Sequence, residues 1–459
     1  MTTSSPADLA RALDALPPDI VVSDPDVAAA YSHDQSRFTD HAVPRAVLMP
    51  RSTAEVSQCL KVAHDHRIPV VPRGAGSGLS GGANASTDCL VLSVHRMNQI
   101  LEVDAADRFA VVQPGVITAS LRAAAKEVGL FYPPDPGSVE MSTVGGNAAT
   151  NAGGMCCVKY GVTADFVIGL EVVLADGRVM RTGRRTVKGV AGYDLTHLFV
   201  GSEGTLGVIT EVTVRLVPEP GPSHTLVASF SSLKDAGAVV SEVTRAGLTP
   251  SLLEILDRTT VRAVDQMAHM GLGEDVEALL LVQSDDKHAD VLLGRVSAIC
   301  EDQGVSDLAH SSDPAESAML LEARRLALPA LERLGDWLLD DVAVPRSRIV
   351  EFIVAVEEIS SRLGLTIGVF GHAGDGNLHP TVIFDDADAD SRAATLRAFE
   401  EMTRKALELG GTITGEHGVG RLKRDWLARE LDPVAATVHG TIKSALDPRG
   451  ILNPGAVMP

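Results

Sequence analysis

Short apolar runs alternate with amphipathic stretches along most of the chain, and their periods predict alternating strands and helices. AVLMP, beginning at Ala46, reads as a strand, and Thr53 to His66 as an amphipathic helix opened by Ser52. PVVPR, CLVLSV, AVVQPG, VIGLEVVLADG and GVITEVTVRLVPE continue a β-rich pattern, with SLRAAAKEVG as a clear helix between them. A Pro-rich joint, Pro218 to Pro222, marks a boundary. Beyond it HTLVASF and EALLLVQSD read as strands and LKDAGAVVSEVTRAG as a helix, and a helix-rich stretch is expected from about Ala289 to Leu334. Near the N-terminus, Ala7 to Leu16 reads as a short helix capped by Ser5. No internal repeat interrupts this order.

Length and composition narrow the class. A chain of 459 residues with 45% apolar and 22% charged residues has room for two or three soluble domains. Its net charge of −20 argues against a nucleic-acid partner and would repel a small anionic substrate, so an acid-binding pocket needs its own cations. Five cysteines without regular spacing (Cys59, Cys89, Cys156, Cys157, Cys300) provide neither a disulfide framework nor an iron–sulfur motif. With no signal-peptide layout and no apolar run of membrane length, a cytoplasmic location is expected.

Three stretches dense in small residues stand in the first half, the first after a strand and the third running directly into one. RGAGSGLSGGA spans Arg73, Gly74, Ala75, Gly76, Ser77, Gly78, Leu79, Ser80, Gly81, Gly82 and Ala83, and contains a formal GxGxxG. A Rossmann loop would open a helix and be followed by an acid about twenty residues on. Here ANASTDCLVLSV leads into another strand, and Arg96 and Met97 stand where the acid belongs. Successive backbone N–H groups can still cradle a pyrophosphate without a helix. The second stretch runs from Pro133 to Gly154 and the third from Gly201 to Thr210. Together they imply one extended ligand, such as a dinucleotide.

Two further glycine-rich stretches, GHAGDGNLHP and TGEHGVGRLK, carry His372, His379, Glu416 and His417. LTIGVF and TVIF flank the first, so a reversal at Gly374 to Asn377 can bring His372 and His379 together. Imidazole and carboxylate suit zinc, and three protein ligands leave a position for substrate. Loop histidines satisfied by backbone or water are the other reading of the same residues.

These motifs resemble the flavoprotein family of vanillyl-alcohol oxidase and p-cresol methylhydroxylase. Within it they are most similar to the D-2-hydroxyacid dehydrogenases, which include glycolate oxidase flavin subunits, D-lactate dehydrogenases and D-2-hydroxyglutarate dehydrogenases. The resemblance runs from about Val43 to Pro454 through PRGAGSGLSGGA, PPDPGS, TVGGNAATNAGG, KYGVTADFVIGLEVVLADG, VGSEGTLGVIT, the two histidine segments and DPRGILNPG. It implies an α+β architecture: a helical segment at 1–41, a PCMH-type FAD-binding domain at 42–217, and an FAD-linked oxidase C-terminal substrate domain at 218–459. The tail 446–459 is expected to return to the flavin. FAD would be held by Arg73 and the Gly74 to Gly82 loop, with Pro136, Gly137, Ser142, Thr143, Gly146, Asn147, Thr150, Asn151, Gly154, Tyr160, Gly161, Glu203, Gly204, Gly207, Ile209 and Asn453. Some members attach FAD through a histidine in the first loop. None stands between Arg73 and Ala83 here, so non-covalent FAD is expected.

Oxidising a 2-hydroxy acid removes the hydroxyl proton and passes the Cα hydrogen as hydride to flavin N5. A metal on His372, His379 and Glu416 would stabilise the alkoxide. His417 is the candidate base, because imidazoles in general titrate near neutrality, and it would also contact substrate. Arg324, in LLEARRLALPAL, stands where relatives carry a carboxylate-binding arginine, with Arg325 as its competitor, and Asn377 is a further candidate for the carboxylate. Dicarboxylate-acting relatives place a lysine where Leu338 and Leu339 stand, which favours a monocarboxylate such as D-lactate or glycolate over D-2-hydroxyglutarate. Alkyl-dihydroxyacetone-phosphate synthase shares the flavin domain but has consecutive histidines where Gly415, Glu416 and His417 stand. A non-catalytic flavoprotein subunit is opposed by the intact His372, His379, Glu416 and His417 set. Reduced flavin needs a separate acceptor, whether a partner protein, a quinone or a small carrier, and a homodimer is compatible with the chain.

Overall fold

In the computed structural model, which describes Leu9, Arg11 and residues 13–458, the chain divides into two compact units. The first comprises residues up to Gly153, Val162–Glu219 and Glu416–Pro459; the second comprises Gly154–Gly161 and Pro220–Gly415. The division at Glu219 falls inside the Pro-rich joint. The segment that rejoins the first unit begins at Glu416, well before the 446–459 tail expected from sequence. Ser5 and Ala7, at the start of the expected first helix, lie outside the described residues.

Among the described residues the first unit holds two larger sheets and a two-stranded ribbon pairing Leu130–Phe131 with Val217–Pro218. In one, Ala46–Leu48, Leu90–Ser93 and Val70–Arg73 run parallel, and Val21–Val22 adds an antiparallel edge. The helix Thr53–His66 covers it, with Ser52 Oγ accepting from Glu55 N at 3.3 Å, as the sequence predicts. Val56, Cys59, Leu60 and Ala63 form its buried stripe. The second sheet is antiparallel, in the order Ile100–Asp104, Phe109–Val112, Val208–Arg215, Val167–Val173, Val179–Gly183. The C-terminal tail completes the first sheet: Leu452 bridges Val70 in parallel, and Asn453 N donates to Val70 O at 2.8 Å. Lys443 fixes this return through Thr205 O (2.7 Å), Asp447 Oδ2 (2.6 Å) and Leu452 O (2.9 Å).

The second unit is one antiparallel sheet, ordered Asp307–Ser311, His224–Phe230, Ala278–Ser284, Leu252–Asp257, Thr366–His372, Asn377–Phe384, Asp336–Leu339. Val342–Ala343 also pairs with Asn377–Phe384. Alternation along each strand splits the core in two. Leu253, Ile255, Leu280 and Val282 pack with helices Leu233–Arg245, Ala289–Asp302, Ile349–Leu363 and Ala389–Glu408. Leu252, Leu256, Leu279, Leu281 and Phe370 face the other way, against Arg258–Ala268 and Ala327–Glu332. The expected helix-rich stretch is broken by the strand Asp307–Ser311. Its sequence DLAHS has too few apolar positions to show a period of two, and pairing with Thr225–Ser229 supplies what local pattern lacks.

Candidate active site

In the first unit the three small-residue stretches meet. A Cβ on Gly74 would sit 2.5 Å from Thr143 Oγ1, and one on Gly82 would sit 2.9 Å from Glu203 Oε2. Gly201 N and Glu203 N donate to Ala148 O and Ala149 O at 2.9 and 2.8 Å. None of the backbone N–H groups from Gly74 to Gly82 donates to another group of the chain among the described residues. Gly76 and Gly81 hold φ of +75° and +78°, which turns successive amides to one side. A loop with its donors unspent is a cradle for an anion. Arg73 lies beneath it, buried, with Nη1 donating to His33 O at 2.9 Å.

The second stretch is not the open loop its composition suggests. Val144–Thr150 is a helix, because Thr143 caps it, accepting from Gly146 N at 3.2 Å, and Asn151 ends it at φ +52°. Several side chains expected to line the flavin are spent inside the protein. Asn147 Nδ2 donates to Thr118 Oγ1 at 2.8 Å, which also lies 3.1 Å from Ser142 Oγ. Thr150 Oγ1 donates to Gly146 O, and Asn151 Oδ1 accepts from Ala164 N. Pro136 O accepts from Val139 N beside an exposed Gly137. In the third stretch a Cβ on Gly204 (φ +70°) would run into Pro72, one on Gly207 would run into Val172 and Phe199, and Ile209 is buried in its strand. Gly154, Tyr160 and Gly161 fall in the second unit, where the Tyr160 hydroxyl donates to Asp285 Oδ2 at 2.6 Å.

Glu203 ties this region together. Its carboxylate accepts from Val419 N (2.8 Å) and Gly420 N (2.9 Å), and its carbonyl accepts from Asn453 Nδ2 at 2.8 Å. Burial pushes its carboxyl up to about 7, against the opposing pull of the two amides. Asn453 Nδ2 also reaches Gly82 O at 2.8 Å, while Asn453 Oδ1, Arg421 Nε and the Tyr132 hydroxyl are buried without a hydrogen-bond partner among the described residues. The orphans on Asn453 and Arg421, both fastened to the Gly74–Gly82 loop, fit a polar cofactor beside its unspent amides.

In the second unit His372 and His379 come together as expected. The strands Thr366–His372 and Asn377–Phe384 pair in the register Phe370↔His379 and His372↔Asn377, so the two histidines are diagonal neighbours on one face. Their Nε2 atoms lie 3.4 Å apart. Each turns Nδ1 towards a buried carboxylate: His372 to Glu254 Oε1 at 2.7 Å, His379 to Asp341 Oδ1 at 3.9 Å. Since Glu254 only accepts when ionised, neutral His372 carries its proton on Nδ1 and presents a lone pair at Nε2. Two imidazoles on one tetrahedral ion, at bonds of about 2.0–2.1 Å, would have nitrogens about 3.3–3.4 Å apart. The pair therefore fits a metal ion better than it fits an N–H···N bond, which prefers about 3 Å.

Sequence reasoning missed both carboxylates. Glu254 is 0% exposed, between His372 and Arg324, whose Nε donates to Glu254 Oε2. Burial alone would raise its carboxyl; His372 and Arg324 outweigh this and hold it below the usual range. The available signal was a single acid inside the apolar run LLEIL, which a buried strand tolerates only with partners. Asp341 accepts from Asn377 Nδ2 (2.7 Å), Thr414 Oγ1 (2.6 Å) and Gly415 N (3.0 Å).

Asn377 also donates to Val342 O at 2.9 Å, so both amide hydrogens are used within the chain, and it starts a strand without the left-handed φ that a turn asparagine would show. It positions Asp341 rather than offering a donor outward. Arg324 stacks over Phe370 at 4.9 Å, and its two Nη atoms make no hydrogen bond among the described residues. Arg325 pairs with Glu322 on the surface, which removes it as the competitor. Leu338 and Leu339 are both buried. Glu416 follows Gly415 by one peptide bond and opens the returning segment of the first unit, where its Oε1 lies 3.7 Å from His417 Nε2, and His417 O accepts from Ser80 Oγ at 3.1 Å.

Two family models match the chain. Residues 44–183 match the family described as FAD binding domain, and residues 219–457 match FAD linked oxidases, C-terminal domain. The glycolate oxidase subunit GlcD of Bacillus subtilis (strain 168) is 45% identical over 428 residues, 93% of this chain and 91% of that one. The D-lactate dehydrogenase of Anaerostipes hadrus is 34% identical over 453 residues, 96% and 95% of the two chains. The solved structure of p-cresol methylhydroxylase with substrate bound has a TM-score of 0.82 at 18% identity, covering 99% of this chain and 97% of that one, and shows a shared fold. No helix among the described residues is long and apolar enough to cross a membrane.

Proposed function

The chain belongs to the FAD-linked oxidases, and from that premise we propose that it oxidises a D-2-hydroxy acid with a single carboxylate to the 2-oxo acid, using non-covalent FAD and one divalent metal. Two relatives carry names built on monocarboxylates, glycolate and D-lactate, and the leucines at 338 and 339 offer no cation to a second carboxylate. The observation that carries the metal reading is the His372–His379 pair, with its facing Nε2 atoms and the His372 ring held on the Glu254 carboxylate. Zinc suits this donor set.

When bound, FAD supplies a hydride acceptor and the divalent ion a Lewis acid that acidifies a hydroxyl. The Gly74–Gly82 amides hold the pyrophosphate charge, and Asn453 closes the cradle from the tail. His372 and His379 bind the ion with Glu416 as third ligand. His417 accepts the hydroxyl proton. Arg324, anchored at Nε by Glu254, turns its Nη pair to the substrate carboxylate.

Stopped-flow absorbance at the flavin band, with D- and L-lactate, glycolate and D-2-hydroxyglutarate, tests the assignment. Rapid bleaching by glycolate or D-lactate, with slow or absent bleaching by L-lactate and the dicarboxylate, is expected. Preference for an L-acid, or for the dicarboxylate, would overturn the substrate assignment.

A further inference from the structure

We propose that Glu254 is a positioning residue that locks the His372 imidazole and the Arg324 guanidinium to one carboxylate, so that ion binding and substrate-carboxylate binding are coupled. The inference rests on the metal reading above. Glu254 sits in the strand Leu252–Asp257 on the face shared with Leu252 and Leu256, and no part of it reaches solvent. Such a carboxylate persists only when both oxygens are paired. Oε1 takes the Nδ1 proton of His372 at 2.7 Å, and Oε2 takes Arg324 Nε. Phe370, two residues before His372 on the same strand face, supports the Arg324 plane from one side.

Two consequences follow from this single group. The bond to His372 fixes its tautomer and ring angle, leaving Nε2 as the electron-pair donor. The bond to Arg324 uses the Nε edge of the planar fork and so orients both Nη atoms, which have no partner among the described residues. An anion drawn to those Nη atoms pulls on the same carboxylate that orients His372. Replacement by glutamine breaks this arrangement, because His372 and Arg324 contact different oxygens and the amide NH2 that replaces one of them cannot accept. An amide N–H turned on Nδ1 would also force the His372 proton to Nε2 and abolish it as a ligand.

The test compares the FAD-loaded wild type with Glu254→Gln, Glu254→Asp and, as a control for losing a buried carboxylate from the same strand, Asp257→Asn. Asp257 is 2% exposed and caps the next helix, accepting from Thr260 N at 2.9 Å. Zinc affinity is read by competition with a chromophoric chelator. Pyruvate binding is read from the flavin absorption shift, with and without zinc. Glu254→Gln should bind zinc about 10–100-fold more weakly, and the gain in pyruvate affinity on saturating zinc should be smaller than in the wild type. Glu254→Asp should recover part of both, and it carries the comparison if the glutamine variant does not fold. Asp257→Asn, which keeps a capping acceptor, should leave zinc affinity unchanged. Zinc bound equally by wild type and Glu254→Gln, or weakened equally by Asp257→Asn, overturns the positioning role alone. A wild type that binds no divalent ion overturns the metal reading, and this inference with it.

Discussion

Gly74 is where the first and second small-residue stretches touch, and adding one methyl group there tests whether that contact shapes the cofactor site. A Cβ on Gly74 would lie 2.5 Å from Thr143 Oγ1, closer than real contacts allow, while its next neighbour, Gly146 Cα, is at an ordinary 3.6 Å. Thr143 cannot simply swing away, because its Oγ1 caps the helix Val144–Thr150. Losing the cap costs about 1 kcal/mol, and crowding a packed loop costs about 1–3 kcal/mol. The apoprotein can relax part of this strain, but a bound cofactor pins both stretches. Gly74→Ala is therefore expected to weaken FAD binding by about one to two decades, or roughly 1.4–2.8 kcal/mol. FAD should come off on acid precipitation, since no histidine stands between Arg73 and Ala83, and the refolded or salt-stripped apoprotein can be titrated by flavin fluorescence quenching. The decisive arm is the double variant. With Thr143→Ala in place the obstructing oxygen is gone, so adding Gly74→Ala should cost little further, a coupling of about 1–2 kcal/mol between neighbours. If Gly74→Ala is as harmful with Thr143→Ala as without it, or harmless in both, the packing argument fails.

Glu416→Gln removes a negative ligand, so metal content should fall and flavin reduction should partly recover in excess metal. His417→Ala should keep near-normal metal content yet slow flavin reduction by about two to four decades, with no recovery on adding metal; loss of the ion instead would make His417 a ligand. Glu203, raised by burial from 4.5 to about 7, binds its proton more tightly folded than unfolded. Its stabilising contribution is therefore complete below pH 4.5 and is lost as pH rises through 7, a swing of about 3 kcal/mol. Denaturant unfolding of the apoprotein at pH 5 and pH 8 should show wild type losing more stability than Glu203→Gln; equal losses would refute it.

The sequence alone carried most of what depends on neighbours along the chain, with the helix Val144–Thr150, masked by its small residues, as an exception. The helix Thr53–His66 was legible because Ser52 and its apolar stripe lie within a few residues of each other. The His372–His379 pair was legible because a hairpin turn and a seven-residue spacing are local facts. The unspent amides of Gly74–Gly82 follow from glycine content after a strand. What lay outside reach depends on contacts between distant positions. Glu254 meets His372 across 118 residues, Asp341 meets Thr414 across 73, and Glu203 meets Gly420 across 217. A buried acid looks the same in a sequence whether its partner binds a metal or merely closes a turn. The strand Asp307–Ser311 had no period of its own and exists because the edge of the sheet offers it hydrogen bonds. The early return at Glu416 was hidden for the same reason: Ser80, Glu203 and Asn84 fasten that segment to the first unit, and only the folded chain brings them to it. Local pattern marks most of the elements, whereas edge strands and the pairing of buried charges are decided only where the sheets place them, because the energy that holds such groups lies in partners the backbone must first bring within 3 Å.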